Sequence, residues 1–345
     1  MIKRIVTMSI IFVAVWLFWP SMPAHDPIER QTATIKPKAE SSKSLVYKAK
    51  KNNDKVATST NITANDSATL VAKAYASELS YPPYSQPLNA NDYDRLNPNY
   101  FNPQSIPIDD NGNTVTAKLS KYRYTYPEPI LATLTGANID NAKLELIDLT
   151  TGKQLLSRGF QQGENMWSVK LEGKRDFPNQ LQATVKANIN GKNVNIALSL
   201  KYVDSIATLE SFEPVVSSNS DMLIQANLNV RESGLYRLRA NLFDANQQPI
   251  AHLVSREKLN KGNANIDLKA HLSVLKGVKT PLYLSTFSIE LMSPAPGKPT
   301  KYGNSDINKF EIKDFAISSL SDIPYQPTTQ EKQRLQLLQN MAQGR

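Results

Sequence analysis

The strongest constraint on the fold is a strict alternation of apolar and polar side chains in the second half of the chain. From Met222 to Val230 every even-numbered residue is apolar. The run from Gly234 to Phe243 repeats the pattern, with Tyr236, Leu238, Ala240 and Leu242 on one face and Arg237, Arg239 and Asn241 on the other. A period of two is typical of a β-strand with one buried and one solvated face. The alternation therefore predicts an apolar core face and a polar face that contacts solvent.

Turn-forming residues divide the neighbouring sequence into further short strands. Asp244–Pro249 turns the chain, Ile250–Val254 forms a return strand, and Asn260-Lys261-Gly262 turns the chain again. Short strands separated by Gly, Pro, Asn and Asp are typical of an antiparallel β-sandwich. Residues 205–317 are therefore predicted to form one such sandwich.

Another sandwich is predicted over residues 114–204. Its clearest signal is Asn190-Gly191, which lies between two alternating runs. Both residues tolerate the positive φ that a tight hairpin turn requires. The length of the chain, 345 residues, is enough for two domains with a core each.

The amino terminus has the pattern of a membrane-directing segment. Met1-Ile2-Lys3-Arg4 precedes an apolar run from Ile5 to Trp19. A basic head and an apolar run occur both in cleaved signals and in anchors. Cleavage after Ala24 would place Met22 where signal peptidase prefers a small residue, so we predict an uncleaved anchor over residues 1–25. A cleaved signal is the alternative, because the run is shorter than the ~20 residues that span a bilayer.

The flanking charges predict the orientation of this anchor. Lys3 and Arg4 precede the apolar run, whereas Asp26 and Glu29 are the first charges after it. Positive residues stay preferentially on the cytoplasmic side of a membrane. We therefore expect a single-pass protein with its amino terminus in the cytoplasm and its bulk on the other side.

Three further segments connect or extend the predicted domains. Residues 26–65 are rich in Lys, Ser, Thr, Ala and Asn, a composition typical of a disordered tether. Residues 66–113 should contain a short helix and an extended segment rich in Pro and Tyr. Residues 318–345 should form a linker and a short amphipathic helix, which the capping box from Thr328 to Glu331 begins.

Charge and composition narrow the function. The net charge is +9, but residues 1–65 hold 10 Lys and Arg against 4 Asp and Glu, so the folded domains are only mildly basic. We expect no nucleic-acid partner, because that function requires a dense basic face with stacking aromatics. The chain has no cysteine and only three separated histidines, so we also expect no catalytic residues, no metal site and no cofactor.

Tyrosines and arginines are the candidate residues for a binding surface. They are Tyr81, Tyr84, Tyr122, Tyr124, Tyr126, Arg237 and Arg239. Tyr81 and Tyr84 fit either a partner site or anchors that hold the extended segment on the next domain. Tyr122, Tyr124 and Tyr126 share one face of a predicted strand, where they fit either a platform for sugar rings or packing between strands.

The stretch that follows Gly234 also resembles a known kind of module. Gly234–Ala245, Pro249-Ile250-Ala251 and Pro281-Leu282-Tyr283-Leu284 are similar to a module of uncharacterised proteobacterial envelope and secreted proteins, of the domain-of-unknown-function or choice-of-anchor type. This resemblance implies Ig-like domains and a cell-envelope setting, and it brings no catalytic residue. The predicted fold class is therefore all-β: two tandem Ig-like antiparallel β-sandwiches with an N-terminal membrane helix, a disordered tether and a short C-terminal helix.

Together these features predict a non-enzymatic protein of the bacterial inner membrane with its bulk in the periplasm. Its expected role is to bind another envelope protein, and residues 5–19 provide its contact with the membrane. The alternative is a polysaccharide-binding or enzyme-accessory module that uses the tyrosines near Tyr124.

Overall fold

The computed structural model describes residues 64–136 and 138–343. The predicted membrane anchor and nearly all of the predicted tether lie outside these residues. Within the described part of the chain, no helix is both long enough and apolar enough to cross a membrane.

Strands dominate the described residues, as the alternation predicts. The helices are α1 (Ala64–Glu78), α2 (Tyr93–Leu96), α3 (Leu272–Leu275) and α4 (Thr329–Ala342), with a 3-10 helix at Ile317–Ser319. The strands up to residue 203 are β1 (Ser85–Pro87), β2 (Gln104–Pro107), β3 (Thr114–Leu119), β4 (Arg123–Thr125), β5 (Ile130–Thr135), β6 (Ile139–Asp148), β7 (Gln154–Gly159), β8 (Gln161–Gln162), β9 (Trp167–Leu171), β10 (Gln180–Ile189) and β11 (Lys192–Val203). The later strands are β12 (Ala207–Phe212), β13 (Val216–Ser218), β14 (Asp221–Val230), β15 (Gly234–Phe243), β16 (Pro249–Leu259), β17 (Gly262–His271), β18 (Leu282–Leu291), β19 (Lys301–Tyr302), β20 (Asn304–Ser305) and β21 (Lys309–Ile312).

Two sheets enclose the core of the first sandwich. One sheet has the order β2-β3-β5-β9-β8 and the other β4-β11-β10-β6-β7. Every pairing in these two sheets is antiparallel except that of β4 with β11. Apolar residues from both sheets form one buried cluster that includes Leu134, Leu146 and Leu198. The hairpin between β10 and β11 turns at Asn190 and Gly191, with φ of 52° and 74°, and so confirms the turn predicted there.

Two more sheets enclose the core of the second sandwich. One has the order β1-β16-β15-β18-β19, and β21 also pairs with β18. In the other, β14 pairs with β12, β13 and β17, and β20 pairs with β12. The even positions from Met222 to Val230 are at most 2% exposed, and Tyr236, Leu238, Ala240 and Leu242 are 0% exposed. The apolar face predicted from the alternation is therefore confirmed.

The extended segment between α1 and β3 belongs to both sandwiches. Its strand β1 pairs with β16 of the second sandwich, whereas its strand β2 pairs with β3 of the first. We call residues 79–107 the strap. The chain therefore crosses between the sandwiches twice, once in the strap and once between β11 and β12. The boundaries predicted at 114–204 and 205–317 stay predictions, because each sandwich also takes a strand from the strap.

Helices α1 and α4 pack against each other. The spacing of Leu335, Leu338 and Met341 predicts an apolar stripe on α4; Leu335 and Leu338 are half-buried as expected, whereas Met341 is 56% exposed. The Thr328 side chain accepts a hydrogen bond from the Glu331 amide, which confirms the predicted capping box. In α1 the helical spacing of Leu70, Val71, Ala74, Tyr75 and Leu79 predicts an apolar stripe, and this prediction is partly wrong, because Leu70 and Val71 are 60% and 53% exposed. The buried and half-buried residues of α1 instead include Ala68, Ala72 and Ala76 together with Tyr75.

Candidate functional site

Tyr81 and Tyr84 fasten the strap to the second sandwich. The Tyr84 hydroxyl is 2.9 and 3.0 Å from the two carboxylate oxygens of Asp221, to which it donates. Burial and the negative charge of Asp221 together raise the pKa of Tyr84 well above its usual value. Tyr81 packs, partly buried, against the apolar core of the second sandwich. In the folded chain both side chains are engaged within the protein, which fits the role of anchors.

In the first sandwich, the side chains of Tyr122, Tyr124 and Tyr126 do not form one exposed row. Tyr124 is 0% exposed, and its hydroxyl lies 2.9 Å from Ser120 Oγ and 3.1 Å from the Leu131 carbonyl. Burial is the largest influence on the Tyr124 hydroxyl and raises its pKa. Of the two alternatives, Tyr124 therefore fits packing between strands and not a platform for sugar rings, because β4 pairs with β11 in a register that directs Tyr124 into the core.

Each of the two outer tyrosines lies near a cation. The Lys201 ammonium lies 5.9 Å from the ring centre of Tyr122, and Tyr122 is 39% exposed. The Arg175 guanidinium lies 4.9 Å from the ring centre of Tyr126. With Tyr124 buried between them, these rings do not offer a continuous stacking surface.

Arg237 and Arg239 share one carboxylate on the polar face of the second sandwich. Arg237 Nε donates to Glu290 Oε2 at 2.7 Å, and its Nη2 binds the same oxygen. Arg239 Nη2 donates to the other oxygen, Glu290 Oε1. The Glu290 side chain is 5% exposed and each arginine side chain 29%. The carboxylate is thus nearly buried beneath two guanidinium groups that still reach solvent.

A third arginine, Arg256, lies beside this ion pair and binds no carboxylate within the described residues. Arg256 of β16 is directly opposite Arg237 of β15, and Arg237 is in turn opposite Glu290 of β18. Arg256 is exposed and forms no ion pair within the described residues. Like charges placed directly opposite each other on neighbouring strands destabilise a sheet. The pair Arg256 and Arg237 therefore raises the local positive potential at some cost to stability.

A fourth arginine comes from the first sandwich. Tyr302 of β19 lies opposite Glu290, and the Arg123 guanidinium of β4 lies 3.8 Å above the Tyr302 ring centre. Burial is the largest influence on Arg123 and lowers its pKa, Tyr302 and Glu290 act in the opposite direction, and Arg239 lowers it further. A guanidinium pKa begins so high that the group stays charged at neutral pH.

We call Arg123, Arg237, Arg239, Arg256 and Glu290 the arginine cluster. Two of its guanidinium groups, those of Arg237 and Arg239, bind the carboxylate, whereas Arg123 stacks on the neighbouring Tyr302 and Arg256 lies opposite Arg237. The Nε atom of Arg239 is buried and has no hydrogen-bond partner among the residues that the structure describes. An excess of positive charge that is partly shielded from water favours an anion, and guanidinium groups bind carboxylates with two parallel hydrogen bonds.

The strap covers the other end of the same polar face. Asn241 is 1% exposed, and its Nδ2 donates to the Arg95 carbonyl at 2.7 Å. Its Oδ1 is 2.7 Å from His252 Nδ1, which acts as the donor because an amide oxygen only accepts. The prediction that Asn241 faces solvent is therefore wrong: the alternation identifies the face, and the strap then covers it.

His252 is uncharged at neutral pH. Burial, followed by the positive charges of Arg95 and Arg239, lowers its pKa to about 4, against a smaller opposite effect of Asp92. His252 therefore adds no positive charge to the polar face of the second sandwich, and the excess of positive charge on this face comes from the arginine cluster. A bound metal ion is disfavoured there by four positive groups, and the described residues contain no cluster of three or more His, Asp or Glu side chains with metal-binding geometry.

Sequence reasoning identified two of the four arginines. It missed Arg123 and Arg256 as members of one site, and it missed Glu290 and Tyr302 altogether. The alternation offered a signal for Arg256, because the predicted return strand Ile250–Val254 pairs with β15, and its continuation in β16 brings Arg256 beside Arg237. No local pattern relates Arg123 to Tyr302, which lies 179 positions further along the chain.

Comparison with known proteins gives distant structural similarities. No family model matches the chain, and no curated protein matches it. A DUF4785 family protein from Legionella pneumophila subsp. pneumophila has a TM-score of 0.39 and 14% identity, over 51% of this chain and 52% of that one. An α-2-macroglobulin from Salmonella has a TM-score of 0.30 and 11% identity, over 62% of this chain and 15% of that one. The chain thus spans about half the length of the first protein, and similarities at this level assign neither a family nor an activity.

Proposed function

We propose that this protein is a non-enzymatic, membrane-anchored periplasmic protein that binds an acidic segment of another envelope protein. Residues 5–19 would hold it in the inner membrane with the amino terminus in the cytoplasm. Its two β-sandwiches, which we take to be Ig-like, would present the arginine cluster to the partner. The proposal combines the amino-terminal sequence pattern with the geometry at the contact between the sandwiches.

The observation that carries the binding role is the imbalance of charge in the arginine cluster. Arg237 and Arg239 share the single carboxylate of Glu290, Arg123 is electrostatically coupled to it, and Arg256, opposite Arg237, has no partner within the described residues. Such an excess is unfavourable for the isolated protein, because neighbouring positive charges repel each other. A carboxylate from a partner removes that repulsion and gains charge-assisted hydrogen bonds. Aspartate and glutamate side chains of an acidic protein segment supply this chemistry.

The strap supports the same role by joining the two halves of the cluster. Arg123 belongs to the first sandwich and the other four residues to the second, so the site exists only when the sandwiches keep their orientation. Two chain crossings and the stacking of Arg123 on Tyr302 favour one orientation. A pre-organised site loses less conformational entropy when its partner binds.

An uncharged polysaccharide is a poorer fit to this surface. The sugar-platform alternative depends on a row of exposed tyrosines, whereas Tyr124 is 0% exposed. The remaining candidate rings, Tyr122 and Tyr126, each lie near a cation. We therefore favour a protein partner.

A pull-down from chemically cross-linked envelopes tests the proposal. The bait is the tagged full chain, compared with Arg256→Glu, which reverses one exposed charge of the cluster. The matched control is Arg158→Glu, the same charge reversal at an exposed arginine of β7, which lies at the opposite edge of its sheet from β4. We expect a reproducible acidic partner with the wild type and the control, and its loss with Arg256→Glu. Recovery of the same partner with Arg256→Glu, or retention on cell-wall glycan without any protein partner, would refute the proposal.

A further inference from the structure

The strap covers only part of the outer edge of β16. Strand β1 pairs with β16 as far as Leu253, and the Val254 amide donates to the Tyr84 carbonyl at 2.9 Å. The rest of β16, Ser255–Leu259, pairs with β15 on one side and with no strand of the described chain on the other. We call Ser255–Leu259 the open edge.

Two residues of the open edge direct their backbone groups away from the sheet. These groups alternate in direction along a strand, and the Val254 amide points toward the strap, so those of Arg256 and Lys258 point to the same outer side. The Leu235 carbonyl, opposite Lys258, accepts from Met292 on the far side of β15, which agrees with this direction. The N–H and C=O groups of Arg256 and Lys258 thus have no hydrogen-bond partner within the described residues. Unpaired groups of this kind are a template for another strand.

The side chains of the same two residues make the open edge positive. Arg256 and Lys258 are exposed, and they lie two positions apart on the polar face of the second sandwich. Across this face Glu290, Arg237 and Arg256 lie opposite one another in a row. A carboxylate on the outer side of Arg256 would continue the row with alternating charge. Opposite charges on neighbouring strands stabilise a sheet.

These charges disfavour a second copy of the chain at the open edge. In an antiparallel pair, the residues that exchange backbone hydrogen bonds lie directly opposite each other. Two open edges would therefore place Arg256 or Lys258 of one copy opposite Arg256 or Lys258 of the other, and the like charges would repel. Charged side chains on edge strands commonly prevent such self-association. They do not repel an acidic strand, so the repulsion selects the partner by its charge.

We propose that the acidic segment of the partner binds as an extra β-strand on the open edge, antiparallel to β16, with acidic residues at alternate positions opposite Arg256 and Lys258. This inference rests on the proposed function and adds the conformation and the sequence pattern of the partner. The orientation is that of β1, which already pairs antiparallel with the same side of β16. The residue between the two acids lies opposite Glu257, so a third acid there would be repelled. Backbone hydrogen bonds supply affinity in this mode of recognition, and the side chains supply specificity.

A peptide titration of the full chain in nonionic detergent tests this binding mode. The probe is a short fluorescent peptide in which glutamate alternates with threonine and valine. N-methylation of every glutamate removes the N–H donors that face β16, whereas N-methylation of the residues between them removes donors that face away. Both modified peptides keep the same charge. We expect the first to lose binding and the second to stay within about twofold of the dissociation constant of the unmodified peptide.

Two variants of Lys258 test the same point on the protein. Lys258→Pro and Lys258→Ala both remove the charge, but only proline also removes the outward N–H donor. Edge strands accept proline where the N–H faces solvent, and the melting temperature of each variant verifies its folding. Lys258→Ala should weaken binding of the unmodified peptide by less than about tenfold, because one charge pair is lost, whereas Lys258→Pro should abolish it.

Failure of strand addition is distinguishable from failure of the proposed function. Equal affinities of the two N-methylated peptides, or equal affinities of Lys258→Pro and Lys258→Ala for the unmodified peptide, would overturn strand addition. The charge-based function would still stand if Arg256→Glu removed the partner in the pull-down. Absence of any binding by the unmodified peptide would also overturn strand addition, and the pull-down would then decide the proposed function separately.

Discussion

Asn99 of the strap binds both backbone groups of Arg123 in the first sandwich. Its Oδ1 accepts from the Arg123 amide at 2.7 Å, and its Nδ2 donates to the Arg123 carbonyl at 2.7 Å. One side chain thus replaces a neighbouring strand along the open edge of β4. The strap in this way fixes the residue that extends from the first sandwich toward Glu290.

Replacing this side chain should destabilise the protein and loosen the arginine cluster. Asn99→Ala removes both hydrogen bonds and leaves the Arg123 backbone groups unpaired, a loss of about 1–3 kcal/mol in the free energy of unfolding. The control is Asn97→Ala, an exposed position two residues earlier, which should change it by less than about 0.5 kcal/mol. Urea-induced unfolding measures both. Equal stability of the two variants would show that the strap is held by other contacts.

Two neighbouring residues of β15 should differ in how they stabilise the second sandwich. Leu238 is 0% exposed, so Leu238→Ala should cost about 2–5 kcal/mol through lost burial and the cavity left behind. Arg239→Ala should cost about 1–3 kcal/mol, because Glu290 loses one of its two guanidinium partners in a nearly buried position. The sequence alone predicts almost no effect for Arg239, since it assigns this residue to a solvated face.

Arg256 provides the control for that comparison. It shares the polar face with Arg239 but is exposed and has no ion pair among the described residues. Arg256→Ala should therefore change the free energy of unfolding by less than about 0.5 kcal/mol, or raise it slightly by relieving repulsion from Arg237. A loss as large as that of Arg239→Ala would mean that Arg256 has a structural partner.

The sequence predicted the core because burial of one strand face is a local property. Tyr236, Leu238 and Leu242 repeat every second residue, and a slip of one position would bury Arg237 and Arg239 instead. The same alternation does not predict which segment of the chain covers the polar face. Asn241 is buried beneath the strap. His271, which the alternation places outward, is 5% exposed, and its side chain accepts a hydrogen bond from the Ser273 amide at the start of α3.

The candidate site depends on contacts between distant parts of the chain. Arg123 belongs to the first sandwich and Tyr302 to the second, so their contact depends on how the complete fold places the two sandwiches. Neither residue belongs to a repeating pattern that would indicate the partner. Tyr84 and Asp221 are a similar case, because the hydrogen bond between them requires β1 to join a sheet whose other strands come more than 140 residues later.

The proposed location can be tested with protease added to intact spheroplasts. If the amino terminus is cytoplasmic and residues 5–19 span the membrane, both sandwiches should be digested and at most a small membrane fragment should remain. Lysed spheroplasts serve as the control for total digestion. Protection of the sandwiches in intact spheroplasts would reverse the topology, and release of the whole protein in soluble form would favour a cleaved signal.

His252 should make the stability of the second sandwich depend on pH. Its pKa is about 4 in the folded protein, mainly through burial, against an ordinary value of 6.5. Because the folded state resists protonation, the unfolded state binds more protons between these two values, so stability falls as the pH is lowered from 6.5 to 4. Above pH 6.5 the contribution of His252 is constant.

The urea midpoint of the wild type should therefore decrease as the pH is lowered from 6.5 to 4, with an uptake of about one proton on unfolding that is attributable to His252. His252→Gln removes the titrating group while retaining a hydrogen-bond donor for Asn241, and its midpoint should decrease less over the same range. Identical pH profiles of the two proteins would show that His252 titrates normally and that the strap does not shield it from water.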